Sequence, residues 1–184
     1  AYGVYQGLLA CLHHRGFDSV EGRTIAIKGA GNVAKAMVFG FPKNDERFDA
    51  EIRKDFPGLI RLNPKVIHYT DLNPARAAAF KQRAKRIGLA DKLKGHYAEY
   101  DEIYDVPDLD IFIPAAARYS VSGKYIEQLA AAKCKIVAGC ENNQLRNRED
   151  MQRLHEAGIT YAPDFAINAG GLINVAEEWA ARKE

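Results

Sequence analysis

The sequence lacks the features that mark several protein classes. It has three cysteines, Cys11, Cys134 and Cys140, and no C-x-x-C pair. An odd, unpaired set makes neither a disulfide framework nor a zinc signature, and it suits a reducing compartment. No sign of charge dominates: 26 Lys+Arg stand against 24 Asp+Glu, interspersed, for a formal net charge of +2. That excludes a nucleic-acid binder driven by a basic surface. No apolar run is long enough to span a bilayer. Ala1-Tyr2-Gly3-Val4 carries no basic leader followed by an apolar stretch, so the expectation is a soluble, cytoplasmic chain. There is no internal repeat and no Gly/Ser linker. His13, His14, His68, His96 and His155 lack metal-ligand spacing, and no metal is expected.

What remains is an ordinary globular composition, 47% hydrophobic and 27% charged over 184 residues. That length suits one domain with one real core. A complete oxidoreductase with separate cofactor and substrate domains would be hard to fit into it.

Strand and helix patterns alternate along the chain. Tyr2 to Arg15 reads as a helix, with Val4, Leu8 and Cys11 on one face and Gly16 ending it. Thr24-Ile25-Ala26-Ile27 is a short buried strand running into Gly29. Asn32 to Phe39 is helical, Val66 to Thr70 is a β-branched strand, and Pro74 to Ile87 is a helix with proline in its first turn. Strands follow at Leu109–Pro114, Lys135–Gly139 and Ile159–Ala162, and helices at Lys124–Ala132, Arg148–Ala157 and Leu172–Arg182. Alternation of this kind implies a doubly wound, mainly parallel α/β sheet with helices on both faces, Rossmann-like in class. Pro42 to Pro64 breaks the rhythm. Phe48, Ile52 and Phe56 recur at helical spacing there before Pro57-Gly58, as an inserted amphipathic helix and loop would. The plain expectation is a surface elaboration packed on one sheet edge; a partner or oligomer contact is the alternative.

Gly29-Ala30-Gly31-Asn32-Val33-Ala34 is a G-x-G-x-x-A between the first strand and the next helix. Gly29 permits the tight turn, Gly31 lets backbone approach a pyrophosphate, and Ala34 allows close helix–sheet packing. The helix N-terminus adds free N–H groups and the positive end of its dipole. Asp71 ends the second strand, where a carboxylate can bind the adenosine ribose hydroxyls. It lies 40 residues after Gly31, against about 20 in the usual pattern, an excess that the Pro42–Pro64 insertion absorbs. An acid there disfavours a 2′-phosphate, so NAD is expected rather than NADP, with Arg76 nearby as the counter-indication. Asp71 could instead cap the helix beginning Asn73-Pro74. Lys28 reads either as a phosphate contact or as a solvated strand-end lysine.

Ala1-Tyr2-Gly3-Val4, the glycine fingerprint, Thr70-Asp71-Leu72-Asn73, Asp110-Ile111-Phe112-Ile113-Pro114, Asn142-Asn143-Gln144-Leu145, Tyr161-Ala162-Pro163-Asp164 and Asn168-Ala169-Gly170-Gly171-Leu172-Ile173-Asn174-Val175 occur in this order. Together they resemble the C-terminal, nucleotide-binding domain of the glutamate/leucine/phenylalanine/valine dehydrogenases, nearest the leucine and phenylalanine branch. The resemblance covers nearly the whole chain outside Pro42–Pro64. It implies a domain spanning residues 1–184, with an N-terminal catalytic and substrate domain not contained in it. It also implies NAD-dependent, reversible oxidative deamination of an L-amino acid to a 2-oxo acid and ammonia. In that reaction hydride leaves the α-carbon for the nicotinamide, and water attacks the resulting iminium. Under the resemblance Gly29, Gly31, Asn32 and Val33 hold the pyrophosphate, and Asp71 with Leu72 the adenosine side. Ala115, Ala116 and Asn143 line the nicotinamide side. Leu172 and Val175 match the apolar positions of the substrate pocket, favouring an aliphatic or aromatic side chain; plain core packing is their alternative. Asn168 could touch ligand or cap the last helix.

The family's catalytic lysines and aspartate belong to the other domain, so no catalytic residue is assigned. Partners implied are the amino acid or oxo acid substrate and, in some arrangement, further copies of the chain. Two departures stand out: Ala115-Ala116-Ala117-Arg118 replaces Cys-Ala-Leu-Gly, and Cys140-Glu141 replaces Ser-Ala before Asn142-Asn143. Cys140 reads as a small filler. The basic residues from Lys81 to Arg86 read as a solvated helix face. The main competing reading is a stand-alone NAD-binding or redox-sensing module, for which a start methionine rather than Ala1 inside a motif is expected. A methyltransferase using the glycine loop for S-adenosylmethionine is the third, and the Asn168-Ala169-Gly170-Gly171 segment argues against it.

Overall fold

Thr24–Lys28 is buried along its whole length, as is Ile111–Pro114. Strands of this kind need cover on both faces, which parallel sheets with crossover helices provide. In the computed structural model the described residues are 1–41, 55–96, 100–170, 173, 176, 179 and 180. Helix α1 (Tyr2–His14) precedes β1 (Thr24–Lys28), α2 (Asn32–Phe39), β2 (Val66–Thr70), α3 (Pro74–Arg86) and β3 (Leu93–Gly95). After β4 (Ile111–Pro114) come α4 (Lys124–Ala131), β5 (Ile136–Val137), α5 (Arg148–Glu156), β6 (Thr160–Tyr161) and α6 (Asp164–Ile167).

The six strands lie in the order β3-β2-β1-β4-β5-β6, and every neighbouring pair is parallel. The direction of chain progression reverses between β1 and β4. That is the topological switch point, where loops at the carboxyl ends of the strands diverge and leave a crevice. The Rossmann-like expectation is met, with one strand more than the five expected. The missed strand, β3, has only three residues, Leu93-Lys94-Gly95, none of them fully buried. It carries neither the apolar run nor the alternation that marks a strand in sequence.

Period-2 alternation sorts the core into two layers. Ile25, Ile27, Ile67, Tyr69, Ile111, Ile113 and Ile136 face the cluster built with α1, α2 and α3. Ala26, Phe112 and Val137 face the other, which contains Tyr104, Val121, Ile126, Leu129 and Leu154. Helix starts follow local chemistry. Asn73 accepts from the N–H groups of Ala75 (3.0 Å) and Arg76 (3.3 Å), with Pro74 next to it, and Asn147 caps α5 through Asp150 N–H at 3.0 Å.

The described part of the expected insertion corrects its reading as a surface elaboration. Phe56, Leu59 and Ile60 are buried in the first core layer. The Phe56 ring packs on Tyr5 at 4.7 Å and Phe41 at 5.1 Å. Gly58, at φ +89°, runs so close to the Phe39–Gly40 backbone that any Cβ would overlap it. Burying three large apolar side chains outweighs exposing them on a charged segment. Phe48 and Ile52 lie outside the described residues. So does most of the expected Leu172–Arg182 helix, of which Ile173, Ala176, Trp179 and Ala180 are helical. No helix of the described residues is long and apolar enough to cross a membrane.

Candidate functional site

The carboxyl ends of β1, β2, β4 and β5 bring the sequence candidates together. Gly29 leaves β1 at φ +110°, donating its N–H to Thr70 O at 2.9 Å. A Cβ there would overlap the Ala115 carbonyl, so only glycine lets the first crossover loop touch the loop after β4. Gly31 is different. It precedes α2 in an extended conformation (φ −71°, ψ −172°), and a Cβ on it would meet no protein atom within 4 Å. No side chain caps α2, so its first N–H groups face the crevice unsatisfied by any side chain. Asn32 and Val33 are exposed at this helix start, while Ala34 is buried against the sheet. The geometry answers the demands of an anionic group at a helix N-terminus.

Asp71 follows β2 on the other side of the glycine loop. Its Oδ2 accepts the Ala30 N–H at 2.7 Å, 41 residues away, and its Oδ1 accepts the Asn73 N–H at 2.8 Å. The capping role belongs to Asn73, and Asp71 reaches across to the glycine loop. The long spacing in sequence thus disappears in space, because β2 returns beside β1 with Lys28 opposite Thr70. Leu72 beside it is 75% exposed, an apolar side chain standing free at the crevice rim. On the other side Ala115 is half-buried and Ala116 exposed, directly after β4.

Asn143 sits at left-handed φ +53°. Its N–H donates to Asp164 Oδ2 at 2.6 Å, and its carbonyl accepts from Tyr119 N–H at 2.9 Å. Asn168 is tied through its amide nitrogen to the turn after β5. Its Nδ2 donates to Cys140 O (2.9 Å) and Asn142 Oδ1 (2.7 Å). Asp164 and Asn168 therefore fasten the Asn142–Asn143 turn from α6. Burial pushes the Cys140 thiol up to about 11, which leaves it protonated and unreactive near neutrality. Leu172, Asn174 and Val175 lie outside the described residues.

The reading of Lys28 as a solvated strand-end lysine is corrected. Lys28 is not solvated: it is 6% exposed and donates to Tyr104 Oη at 2.8 Å. Its side chain leaves β1 on the second-layer face, as Ala26 does, where Tyr104 is buried. The basic run is a solvated helix face at Lys81, Lys85 and Arg86, which are exposed, while Arg83 is half-buried with its guanidinium 5.0 Å from the Phe39 ring centre, and burial lowers its pKa. Among the described residues no cluster of three or more metal-ligating side chains occurs.

The family model for Glutamate/Leucine/Phenylalanine/Valine dehydrogenase matches residues 1–184. The chain belongs to this family. The leucine dehydrogenase of Thermoactinomyces intermedius is 37% identical over 179 residues, which are 97% of this chain and 40% of that protein. The phenylalanine dehydrogenase of Lysinibacillus sphaericus is 33% identical over 179 residues, again 97% of this chain and 40% of that protein. Among solved structures, L-tryptophan dehydrogenase from Nostoc punctiforme superposes with a TM-score of 0.69 at 30% identity, covering 97% of this chain and 45% of that one. The chain spans about 40% of the length of the curated relatives it matches. The dehydrogenase family thus stands over a Rossmann-type sheet whose switch-point crevice collects the glycine loop, Asp71 and Asn143.

Proposed function

We propose that this chain is the dinucleotide-binding domain of an NAD-dependent L-amino acid dehydrogenase that deaminates an aliphatic or aromatic amino acid reversibly to its 2-oxo acid and ammonia. The observation that carries this reading is Asp71 hydrogen-bonded into the glycine loop beside an uncapped helix start. The residues fit the cofactor. The space in front of Gly31 is open, and the α2 N–H groups have no side-chain partner there. Gly31, Asn32 and Val33 hold the pyrophosphate, and Gly29 makes the turn that brings them there. The second lone pairs of the Asp71 oxygens take the ribose hydroxyls. A carboxylate at that position repels a 2′-phosphate, which favours NAD over NADP. Leu72 lies against the adenine.

Ala115, Ala116 and Asn143 line the nicotinamide end, and the cofactor, when bound, supplies the hydride acceptor. Leu172 and Val175 supply apolar contacts to the substrate side chain. The acid–base groups belong to a separate N-terminal domain of the same protein, and no residue of this chain is given that role. The residue 42–64 segment is an elaboration of this domain.

The test is calorimetric titration of the wild-type chain and Asp71→Ala with NAD⁺, NADP⁺ and S-adenosylmethionine. Wild type should bind NAD⁺ more tightly than NADP⁺, and Asp71→Ala should lose at least tenfold in NAD⁺ affinity. Tight S-adenosylmethionine binding with no response to either nicotinamide would overturn the assignment.

A further inference from the structure

The floor of the nicotinamide side is held by a chain of buried polar groups from four parts of the fold. Lys28, the last residue of β1, donates from Nζ to Tyr104 Oη at 2.8 Å. Tyr104 Oη donates to the Ser120 carbonyl at 2.7 Å. Ser120 then gives both its N–H (3.0 Å) and its Oγ–H (2.7 Å) to the two oxygens of Glu141. Lys28 is 6% exposed and Glu141 2%. The ammonium also rests over the stacked rings of Tyr104 and Tyr125, at 4.6 and 4.9 Å from their centres. Asp101 stands 3.7 Å from Nζ, with a side chain 45% exposed.

Charges taken out of water this far need opposite charge and hydrogen bonds nearby. Burial lowers the Lys28 pKa, and the Asp101 and Glu141 carboxylates push it back up. Asp101 is the nearer carboxylate and is half-exposed, whereas Glu141 is the buried carboxylate that acts on Lys28, linked to it through Tyr104 and Ser120. The chain ends where it matters for the crevice. Ser120 and Glu141 lie in the two loops that carry Ala115, Ala116 and Asn143. The same two loops are zipped by Tyr119 N–H to Asn143 O (2.9 Å) and Val121 N–H to Gln144 O (3.0 Å).

We propose that Lys28 and Glu141 are a mutually dependent buried charge pair, bridged by Tyr104 and Ser120, and that they act as positioning residues for the nicotinamide half of the dinucleotide. The proposal rests on the dinucleotide reading above. It assigns no contact with the cofactor to either residue. The glycine loop and Asp71 are held independently of the pair, through Thr70 O and the Asp71 carboxylate.

The test titrates the full chain with NADH, followed by nicotinamide fluorescence, and with ADP-ribose, followed by calorimetry. Wild type, Lys28→Met, Glu141→Gln and the double variant are compared. Each single variant should bind NADH at least tenfold more weakly and ADP-ribose within twofold of wild type. The double variant, with neither charge, should recover to within about threefold of wild type for NADH. A general loss of structure would weaken both ligands alike, and that result overturns the proposal. So does a double variant whose NADH loss equals the product of the single losses, or single variants that bind NADH as wild type does. Failure of the wild-type chain to bind either ligand would bring down the dinucleotide reading itself, and this inference with it.

Discussion

The two fingerprint glycines should fail in opposite ways when each receives one methyl group. Gly31→Ala puts a Cβ into space where no protein atom lies within 4 Å, on a backbone at φ −71° that any residue adopts. Losing glycine at a helix N-cap is unfavourable by up to about 1 kcal/mol, and the stiffer unfolded chain returns a similar amount. Net stability should therefore stay within about 1 kcal/mol of wild type. Gly29→Ala forces a side chain to φ +110° and drives its Cβ to 2.7 Å from the Ala115 carbonyl carbon. Backbone strain alone is on the order of 1–3 kcal/mol, and displacing a neighbouring loop adds to it, so a loss of about 3 kcal/mol or more is expected. Binding reverses the ranking of interest. A methyl on Gly31 stands where the pyrophosphate must approach the α2 N–H groups. Losing two charge-assisted hydrogen bonds of roughly 1.5–3 kcal/mol each weakens NAD⁺ by about a hundredfold or more. Urea unfolding gives the first quantity and calorimetry the second. A Gly31→Ala chain that folds and binds NAD⁺ as tightly as wild type would refute the pyrophosphate position. A Gly29→Ala chain with an unchanged urea midpoint would refute the close loop contact.

The His68 ring, paired with His96 at 2.7 Å, should make stability pH-dependent. Burial first, then His96 and Lys94, lower its pKa from 6.5 to about 4, so between those values the unfolded chain binds the extra proton. Its contribution is complete above pH 6.5 and falls as pH drops, reaching a loss of about 2 kcal/mol at pH 5; His68→Gln should flatten that part of the pH dependence of urea unfolding, and an identical slope in the variant would contradict it. Phe80 is fully buried with ring centres of Tyr69 and Phe39 at 4.8 and 4.9 Å, so Phe80→Ala should lose about 3–5 kcal/mol in urea unfolding; a loss below about 1 kcal/mol would mean the core closes over the gap. Asn168→Ala removes both bonds that tie α6 to the Cys140–Asn142 turn, for a local loss of about 1–2 kcal/mol. Faster amide exchange at residues 139–144 should report it, and unchanged exchange would assign the anchoring to Asp164 alone.

The fold was legible wherever a local rule decides structure. Asn32–Phe39 and Val66–Thr70 begin and end where glycine, asparagine and the apolar pattern put them. Both central strands were legible because burial on two faces writes a continuous apolar run. Where structure is decided at a distance, reading failed. The three residues of β3 form a strand because β2 offers an edge, with Ile67 opposite Leu93; nothing in Leu93-Lys94-Gly95 says so. The Phe56–Ile60 stretch looked like surface because its charged context argued for solvent, whereas Gly40 and Gly58 let it press onto α1 and α2.

The same division runs through the candidate site. Gly29, Gly31 and Asp71 could be named in advance because a short motif fixes their tasks within one crossover. The groups that hold the opposite wall could not, for Tyr104 meets Lys28 from 76 residues away and Glu141 meets Ser120 from 21. Half of that arrangement was still within reach. Period-2 alternation puts Lys28 on the face of Ala26, which in a doubly wound sheet is covered, so a lysine there must be buried and must have a counter-charge. Glu141 was visible too, as an acid where the family resemblance leads one to expect alanine. Two unusual charges in a chain, one ending β1 and one following β5, with β4 between those strands, are more informative together than either is alone. Strand order is what joins them, and it is the one quantity the local pattern does not contain.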